Sequence, residues 1–183
     1  FFVTTQLSAQ GFVNESENTG GDLPWDKKVA IIPEPVSLLV KPGTFSLPEN
    51  VIIQAQKSVD LKESIDFLSH RITTATGKTV SVVNNSSHPT IKLVLNTGTD
   101  PQLGTEGYML NVNATQIVIT ANKPAGIFYG AQSLLQLFPA EIESKELIPN
   151  FKWKLPCVDV VDYPKFGWRG LMFDVARHFF TKQ

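Results

Sequence analysis

The sequence predicts an α+β fold, with a mostly antiparallel sheet and two helices packed on one face of it. Short β-rich segments joined by tight turns recur along the chain, and two longer stretches carry apolar residues at helical spacing. In chain order the segments read β-β-β-α-β-β-β-β-α, which is typical of an α+β sandwich. The 183 residues provide for one compact domain with additional sequence at its ends.

Three short strands are predicted before the first helix. They cover Val36–Val40, Thr44–Leu47 and Val51–Gln54. Lys41-Pro42-Gly43 and Pro48-Glu49-Asn50 separate them, and Pro, Gly and Asn are residues that tight turns prefer. Strands joined by such short turns favour antiparallel neighbours.

The first helix is predicted from an apolar stripe at steps of four and three residues. Asp60, with Glu63 three residues later, has the spacing of a capping box at the start of a helix. Gly77 suits the left-handed conformation that follows a last helical turn. His70 lies off the stripe, so we interpret it as a solvated or locally bonded histidine. The stripe consists of Leu61, Ile65, Leu68, Ile72 and Ala75.

Strand signals then return as short segments rich in β-branched residues. The last two of them flank a short turn, which predicts a hairpin with Ile117 and Ile119 on one face. The predicted strands are Thr79–Val83, Thr90–Leu95, Tyr108–Asn113 and Thr115–Thr120.

The second helix is predicted over Lys123–Phe138. Pro124 lies near its first turn, where a missing N–H costs little, and Pro139 ends it. Only a narrow polar strip interrupts its apolar surface, so the helix is predicted to be mostly buried against the sheet. Gly126 and Gly130 lie four residues apart and permit close backbone approach on one side.

The two ends of the chain are predicted to lie outside the folded domain. Residues 1–24 are interpreted as the remnant of a secretory signal followed by a linker, because an apolar stretch runs into small and then polar residues. We therefore expect an exported protein, secreted or periplasmic. Residues 25–163 are predicted to form the α+β domain, with a last strand at Val158–Val161, and residues 164–183 a separate segment.

Composition excludes several classes of function. Sixteen Lys and Arg residues against seventeen Asp and Glu leave a net charge of −1, so we expect no nucleic-acid partner. No apolar run reaches the ~18 residues of a membrane span. The single cysteine, Cys157, excludes an internal disulfide and is predicted to be buried. His70, His88 and His178 are scattered, so neither a metal site nor a cofactor is expected.

The C-terminal stretch GWRGLMFDVARHFFTK contains the candidate ligand contact. Trp168–Asp174 has strand character, and in a strand Arg169 shares a face with Leu171 and Phe173. A guanidinium on an otherwise apolar strand needs a partner, because burying it unpaired is costly. Two kinds of partner fit equally well: a carboxylate, either Asp174 or one elsewhere, or ligand hydroxyls held by the fork of donors.

Three stretches of the chain resemble the N-terminal part of glycoside hydrolase family 20, the β-N-acetylhexosaminidases. Ile32-Pro33-Glu34-Pro35 is similar to the family's IIPxP opening. Residues 125–137 are similar to its GxxYGxQTLLQL helix, with Ser133 where Thr is usual. Residues 166–180 are similar to FxxRGxMxDVARHF, the first strand of the family's catalytic barrel. Together the resemblance covers about residues 31–182.

The resemblance implies an accessory α+β domain followed by the truncated start of a (β/α)₈ barrel. It implies that Arg169 hydrogen-bonds the hydroxyls of a terminal N-acetylhexosamine. Asp174, Arg177 and His178 match the same motif, and we interpret them as a supporting ion-pair network. The implied partners are N-acetylhexosamine-containing glycans and the rest of the chain's own barrel.

The resemblance also implies a mechanism. Enzymes of this family remove terminal β-linked GlcNAc or GalNAc with retention, and the substrate's own acetamido oxygen is the nucleophile. Their catalytic Asp-Glu pair lies in a later barrel strand, and no Asp is adjacent to a Glu in this sequence. We therefore expect no catalytic residue in this chain and no hydrolysis by the chain alone.

A non-catalytic alternative stays open, because a fold does not by itself determine a reaction. In it, the domain is an accessory or glycan-binding module of another carbohydrase. Trp25 and Trp153 are the aromatic residues that would stack on sugar rings in that case, or else pack in a core or interface.

Overall fold

A computed structural model describes residues 29–55 and 59–172 of the chain. They form seven strands and two α-helices around one hydrophobic core. In chain order the elements are β1 (Ser37–Ser46), β2 (Asn50–Gln54), α1 (Lys62–Thr76), β3 (Thr79–Val83), β4 (Ile91–Leu95), β5 (Tyr108–Val112), β6 (Ile117–Ala121), α2 (Pro124–Leu137) and β7 (Lys154–Asp162).

The seven strands form a single sheet in the order β1-β7-β5-β6-β4-β2-β3. The prediction of a mostly antiparallel sheet was wrong: β2–β3, β2–β4 and β4–β6 are parallel pairs, whereas β1–β7, β5–β7 and β5–β6 are antiparallel. The reason lies in the connections. Helix α1 is a crossover that returns the chain to the same end of the sheet, and parallel neighbours require such a crossover. The sheet is therefore mixed.

The edge strand β1 joins two segments that the sequence analysis separated. Val36–Val40 and Thr44–Leu47 were predicted as two strands, but residues 37–46 run as one ten-residue strand beside β7. The pairing register shifts between Lys41 and Thr44, so the predicted turn at Pro42 is a bulge instead. Gly43 has a φ of 104° there, a conformation that side chains with a Cβ rarely adopt.

Helix α1 confirms the predicted stripe, and all five of its residues are buried. The predicted capping box is wrong, because residues 59–61 form a 3₁₀ turn that contains Asp60. The α-helix begins one residue later than the capping box predicts, with Leu61 as its N-cap and no side-chain capping bond. Its other end is as predicted: Gly77 is left-handed, with φ 68°, and its N–H donates to the Thr73 carbonyl at 2.9 Å.

Helix α2 lies very close to the β5–β6 hairpin. A methyl group at Gly126 would overlap the Gly107 carbonyl oxygen, and one at Gly130 would overlap Ile119 and touch the Tyr108 ring. The predicted close backbone approach is thus confirmed. Pro124 occupies the first helical position, and the chain is already extended at the residue before Pro139, also as predicted.

The two helices lie side by side over the sheet. The rings of Phe67 in α1 and Phe128 in α2 are 5.5 Å apart. Alternate residues of the central strands point into the core, and Ile117 and Ile119 of the hairpin are fully buried on one face, as predicted. None of the described helices is long and apolar enough to cross a membrane. The completely buried strand residues include Val51, Ile53, Ile91, Val112, Ile117, Ile119, Leu155 and Val158.

Candidate functional site

A groove of about 540 Å³ opens beside α2, within the size range of small-ligand sites. Four parts of the chain line it. Residues 31–36, which we call the N-terminal strap, contribute one part of the lining, and residues 162–169 contribute another. The exposed side of α2 and the start of the hairpin form the rest.

The N-terminal strap is held against α2 by one side-chain amide. The Ile32 N–H donates to Gln136 Oε1 at 2.8 Å, and Gln136 Nε2 donates back to the Ile32 carbonyl at 3.0 Å. Both polar groups of one backbone residue are thus satisfied by a single side chain. This contact places the motif Ile32-Pro33-Glu34-Pro35 at the rim of the groove.

Three polar side chains form the floor of the groove. Tyr108 and Ser133 are buried, and their hydroxyl oxygens make a short hydrogen bond between β5 and α2. Asp162, at the end of β7, accepts the Val36 N–H at 3.2 Å and lies 3.5 Å from the Tyr108 hydroxyl. Burial raises the pKa of Tyr108 to about 12, because the phenolate would lose its hydration and face the Asp162 carboxylate. The floor therefore keeps Tyr108 neutral.

Arg169 lies on the rim of the groove. Its Nη2 makes an ion pair with Glu106, and its Nη1 donates to the Phe166 carbonyl at 3.0 Å. The hydrogen bond that Arg169 donates to Glu106 raises the pKa of the guanidinium further above its usual value. In this structure the guanidinium thus has a carboxylate partner from elsewhere in the chain, one of the two kinds that the sequence left open. Its side chain is still 46% exposed, so contact with a ligand hydroxyl stays a prediction.

The strand predicted over Trp168–Asp174 is absent from residues 168–172, which have no regular secondary structure and no sheet partner among the described residues. A lone segment cannot satisfy its backbone groups as a strand does, and Trp168 is 85% exposed. The predicted network of Asp174, Arg177 and His178 lies outside the described residues.

The remaining candidates have structural explanations. Trp153 is 4% exposed and packs against Phe151, with ring centroids 4.6 Å apart, so it offers no stacking surface; Trp25 lies outside the described residues. His70 is exposed on α1, and Cys157 is buried as predicted. Over the part of the chain that the structure describes, no cluster of His, Cys, Asp and Glu could hold a metal ion.

Sequence reasoning did not find the groove itself. Glu106, Tyr108, Ser133 and Asp162 come from three separate regions of the chain, and only Ser133 lies in one of the three stretches that resemble the family. One signal was available. The polar strip of Gln132 and Gln136 on an otherwise apolar helix marked the side of α2 that faces the groove.

Comparison with known proteins identifies the domain. The profile of glycosyl hydrolase family 20, domain 2, matches residues 28–163. A beta-hexosaminidase of Porphyromonas gingivalis is 31% identical over 159 residues, which are 86% of this chain and 20% of that protein. A beta-N-acetylhexosaminidase of Cellulomonas fimi is 29% identical over 84% of this chain and 30% of its own length. The matched part of the chain thus spans 20% to 30% of the length of these curated relatives.

Solved structures agree with the sequence comparison. An N-acetyl-beta-hexosaminidase of Streptomyces plicatus, in complex with Thio-NAglucal, superposes with a TM-score of 0.72 at 33% identity over 82% of this chain and 29% of that one. The family 20 beta-N-acetylhexosaminidase of Streptomyces coelicolor A3(2) gives a TM-score of 0.73 at the same identity and coverage. With the profile match covering most of the chain, these similarities show that it belongs to glycoside hydrolase family 20, as the domain numbered 2 of that family.

Proposed function

We propose that this chain is the accessory domain, with the first segment of the catalytic barrel, of an exported retaining exo-β-N-acetylhexosaminidase. The parent protein would remove terminal GlcNAc or GalNAc by substrate-assisted catalysis. The observation that carries the proposal is the family 20 match over residues 28–163, followed directly by a segment similar to the family's first barrel strand. In this proposal residues 25–163 are the domain and residues 164–183 the start of the barrel.

Arg169 is the proposed sugar contact. A guanidinium offers five donors in a fixed plane, which suits adjacent hydroxyls of one sugar ring. To take this role, the guanidinium gives up its contacts with Glu106 and the Phe166 carbonyl and bonds to the sugar instead. Because the ion pair with Glu106 is partly exposed, losing it costs little free energy. Asp174, Arg177 and His178 are proposed to support the arginine as an ion-pair network.

The outer side of α2 supports a role as a docking face for the rest of the parent protein. The helix contains no charged residue in its fourteen positions, yet Tyr129 on it is 41% exposed. Protein interfaces are depleted of charge at their centre and enriched in aromatic residues. Phe166, Leu171 and Met172, in the segment after β7, are further exposed apolar residues. We propose that the catalytic barrel covers this side.

The test of the proposed function is Arg169→Met in the full-length parent, assayed with a chromogenic N-acetylglucosaminide. We expect kcat/KM to fall by about 100-fold or more, because a hydrogen-bonded charge at the sugar is lost. Lys152→Met is the control, since it removes an exposed cation that does not line the groove and should leave activity within about twofold. A parent that is fully active with methionine at position 169 contradicts the assignment.

The same proposal predicts no turnover by the 183-residue chain, because the Asp-Glu pair of the family lies outside it. Measurable hydrolysis by the pure chain would contradict this expectation. Titration of the chain with chitooligosaccharides distinguishes a docking role from the alternative of a glycan-binding module. Saturable heat of binding favours the module, and its absence favours docking alone.

A further inference from the structure

Asp162 ties together three parts of the chain at the point where β7 ends. One carboxylate oxygen accepts the Val36 N–H of the N-terminal strap at 3.2 Å. The other lies 3.5 Å from the Tyr108 hydroxyl of β5. That hydroxyl also bonds to Ser133 of α2, so the strap and the hairpin meet at this carboxylate and the helix is linked to it through Tyr108.

The contacts behind Asp162 leave little room for rearrangement. Tyr108 is 3% exposed and lies directly beside Asp162 in the antiparallel register of β5 and β7. The backbone of Gly130 in α2, which has no side chain, lies against the Tyr108 ring. In an interior packed this closely, a shift of one residue also shifts its neighbours. Moving Asp162 therefore requires movement of the hairpin or the helix.

Both partners of the rim ion pair lie close to this cluster along the chain. Glu106 precedes Tyr108 by two residues, and Arg169 follows Asp162 by seven. Residues 163–169 form no regular structure, so the direction in which they leave the sheet is set where β7 ends. We infer that Asp162, with Tyr108 and Ser133 behind it, is a positioning residue for Arg169. This inference rests on the proposed function, in which Arg169 contacts the sugar.

The experiment compares Asp162→Ala with Asp159→Ala in the full-length parent. Asp159 is a closely matched control, because it is also a β7 carboxylate that accepts from a β5 side chain, Asn111, and from the N-terminal part of the chain, Lys41 at 2.8 Å. We expect Asp162→Ala to raise KM by roughly tenfold with kcat within about twofold, because a displaced Arg169 weakens sugar binding. Asp159→Ala should leave both constants within about twofold, and equal effects of the two variants overturn the inference.

A second measurement does not depend on hexosaminidase activity, so it tests this inference separately from the proposed function. In the 183-residue chain, trypsin cleavage after Lys165 reports how firmly the segment after β7 is held. Asp162→Ala and the milder Tyr108→Phe should speed this cleavage several-fold relative to Asp159→Ala, with circular dichroism verifying the fold. Equal cleavage rates overturn the inference even if the parent is an active hexosaminidase. Faster cleavage with an inactive parent upholds the anchoring role of Asp162 and overturns the proposed function instead.

Discussion

The two helices of this domain cover the same core but present different surfaces outward. On α1 the outward residues are charged or polar, among them Lys62, Glu63, Asp66 and His70. The fourteen residues of α2 include no charge, and Tyr129 and Gln136 are exposed on it. A helix that faces water normally carries charge on that side. The difference supports the proposal that α2, unlike the solvent-facing α1, is covered by another protein surface in the parent.

The largest expected effect on stability follows from the close packing of α2 against the backbone just before β5. Gly126→Ala places a methyl group against the Gly107 carbonyl, a backbone atom that cannot rotate away. We expect a loss of about 3 kcal/mol in the free energy of unfolding, measured by urea denaturation of the chain. Gly98→Ala is the control, because nothing lies within 4 Å of that position, and it should change stability by less than about 0.5 kcal/mol. Equal losses of unfolding free energy in the two variants would contradict this close packing.

The buried hydroxyl pair of Tyr108 and Ser133 links α2 to the sheet and makes the stability of the domain depend on pH. The pKa of Tyr108 is raised to about 12, above its ordinary value of 10.0, so the folded state holds the proton more tightly than the unfolded state. This contribution is fully present below pH 10 and is lost as the pH rises towards 12. We expect a loss of about 2 kcal/mol over that interval, measured by urea denaturation. Tyr108→Phe should remove this part of the pH dependence, and an unchanged profile would contradict it.

The third prediction tests the outer faces directly. Tyr129→Glu introduces a charge on the face of α2 that we propose to be covered in the parent. The parent should lose about 2 kcal/mol of stability, whereas the 183-residue chain should change little. His70→Glu makes the same change on α1, and we expect little effect in either protein. Equal stability of the parent with Tyr129→Glu and with His70→Glu would contradict a covered face on α2.

The smallest effect is expected on α1. Lys62 and Asp66 form an ion pair one turn apart, with side chains 71% and 60% exposed. Such pairs contribute little, because water already solvates both charges. Lys62→Met should lower the thermal midpoint of the chain by less than about 2 °C, which corresponds to under about 0.5 kcal/mol. A loss several times larger would show that this face is not simply solvated.

Local features of the fold could be predicted from sequence because each depends on neighbouring residues. The stripe of α1, the left-handed Gly77 and the prolines around α2 are examples, and the structure confirms all of them. The strand order could not be predicted in this way. Whether β2 has parallel or antiparallel neighbours depends on where α1 returns the chain, and turn signals carry no information about that.

The candidate site was predictable only in part. Arg169 was found because a guanidinium among apolar residues needs a partner. Its actual partner, Glu106, lies 63 positions away and in no motif, so only the folded chain brings the two together. The same holds for Tyr108 and Asp162, which meet because two distant strands pair in one register.

The bulge in β1 has a consequence for behaviour at high concentration. An open sheet edge is a template on which another molecule can add a strand and start an aggregate. Here the edge is interrupted by Pro42, which has no N–H to offer, and by the register shift beside it. An incoming strand could bond to only part of this edge, so the domain has built-in protection against polymerisation on that side.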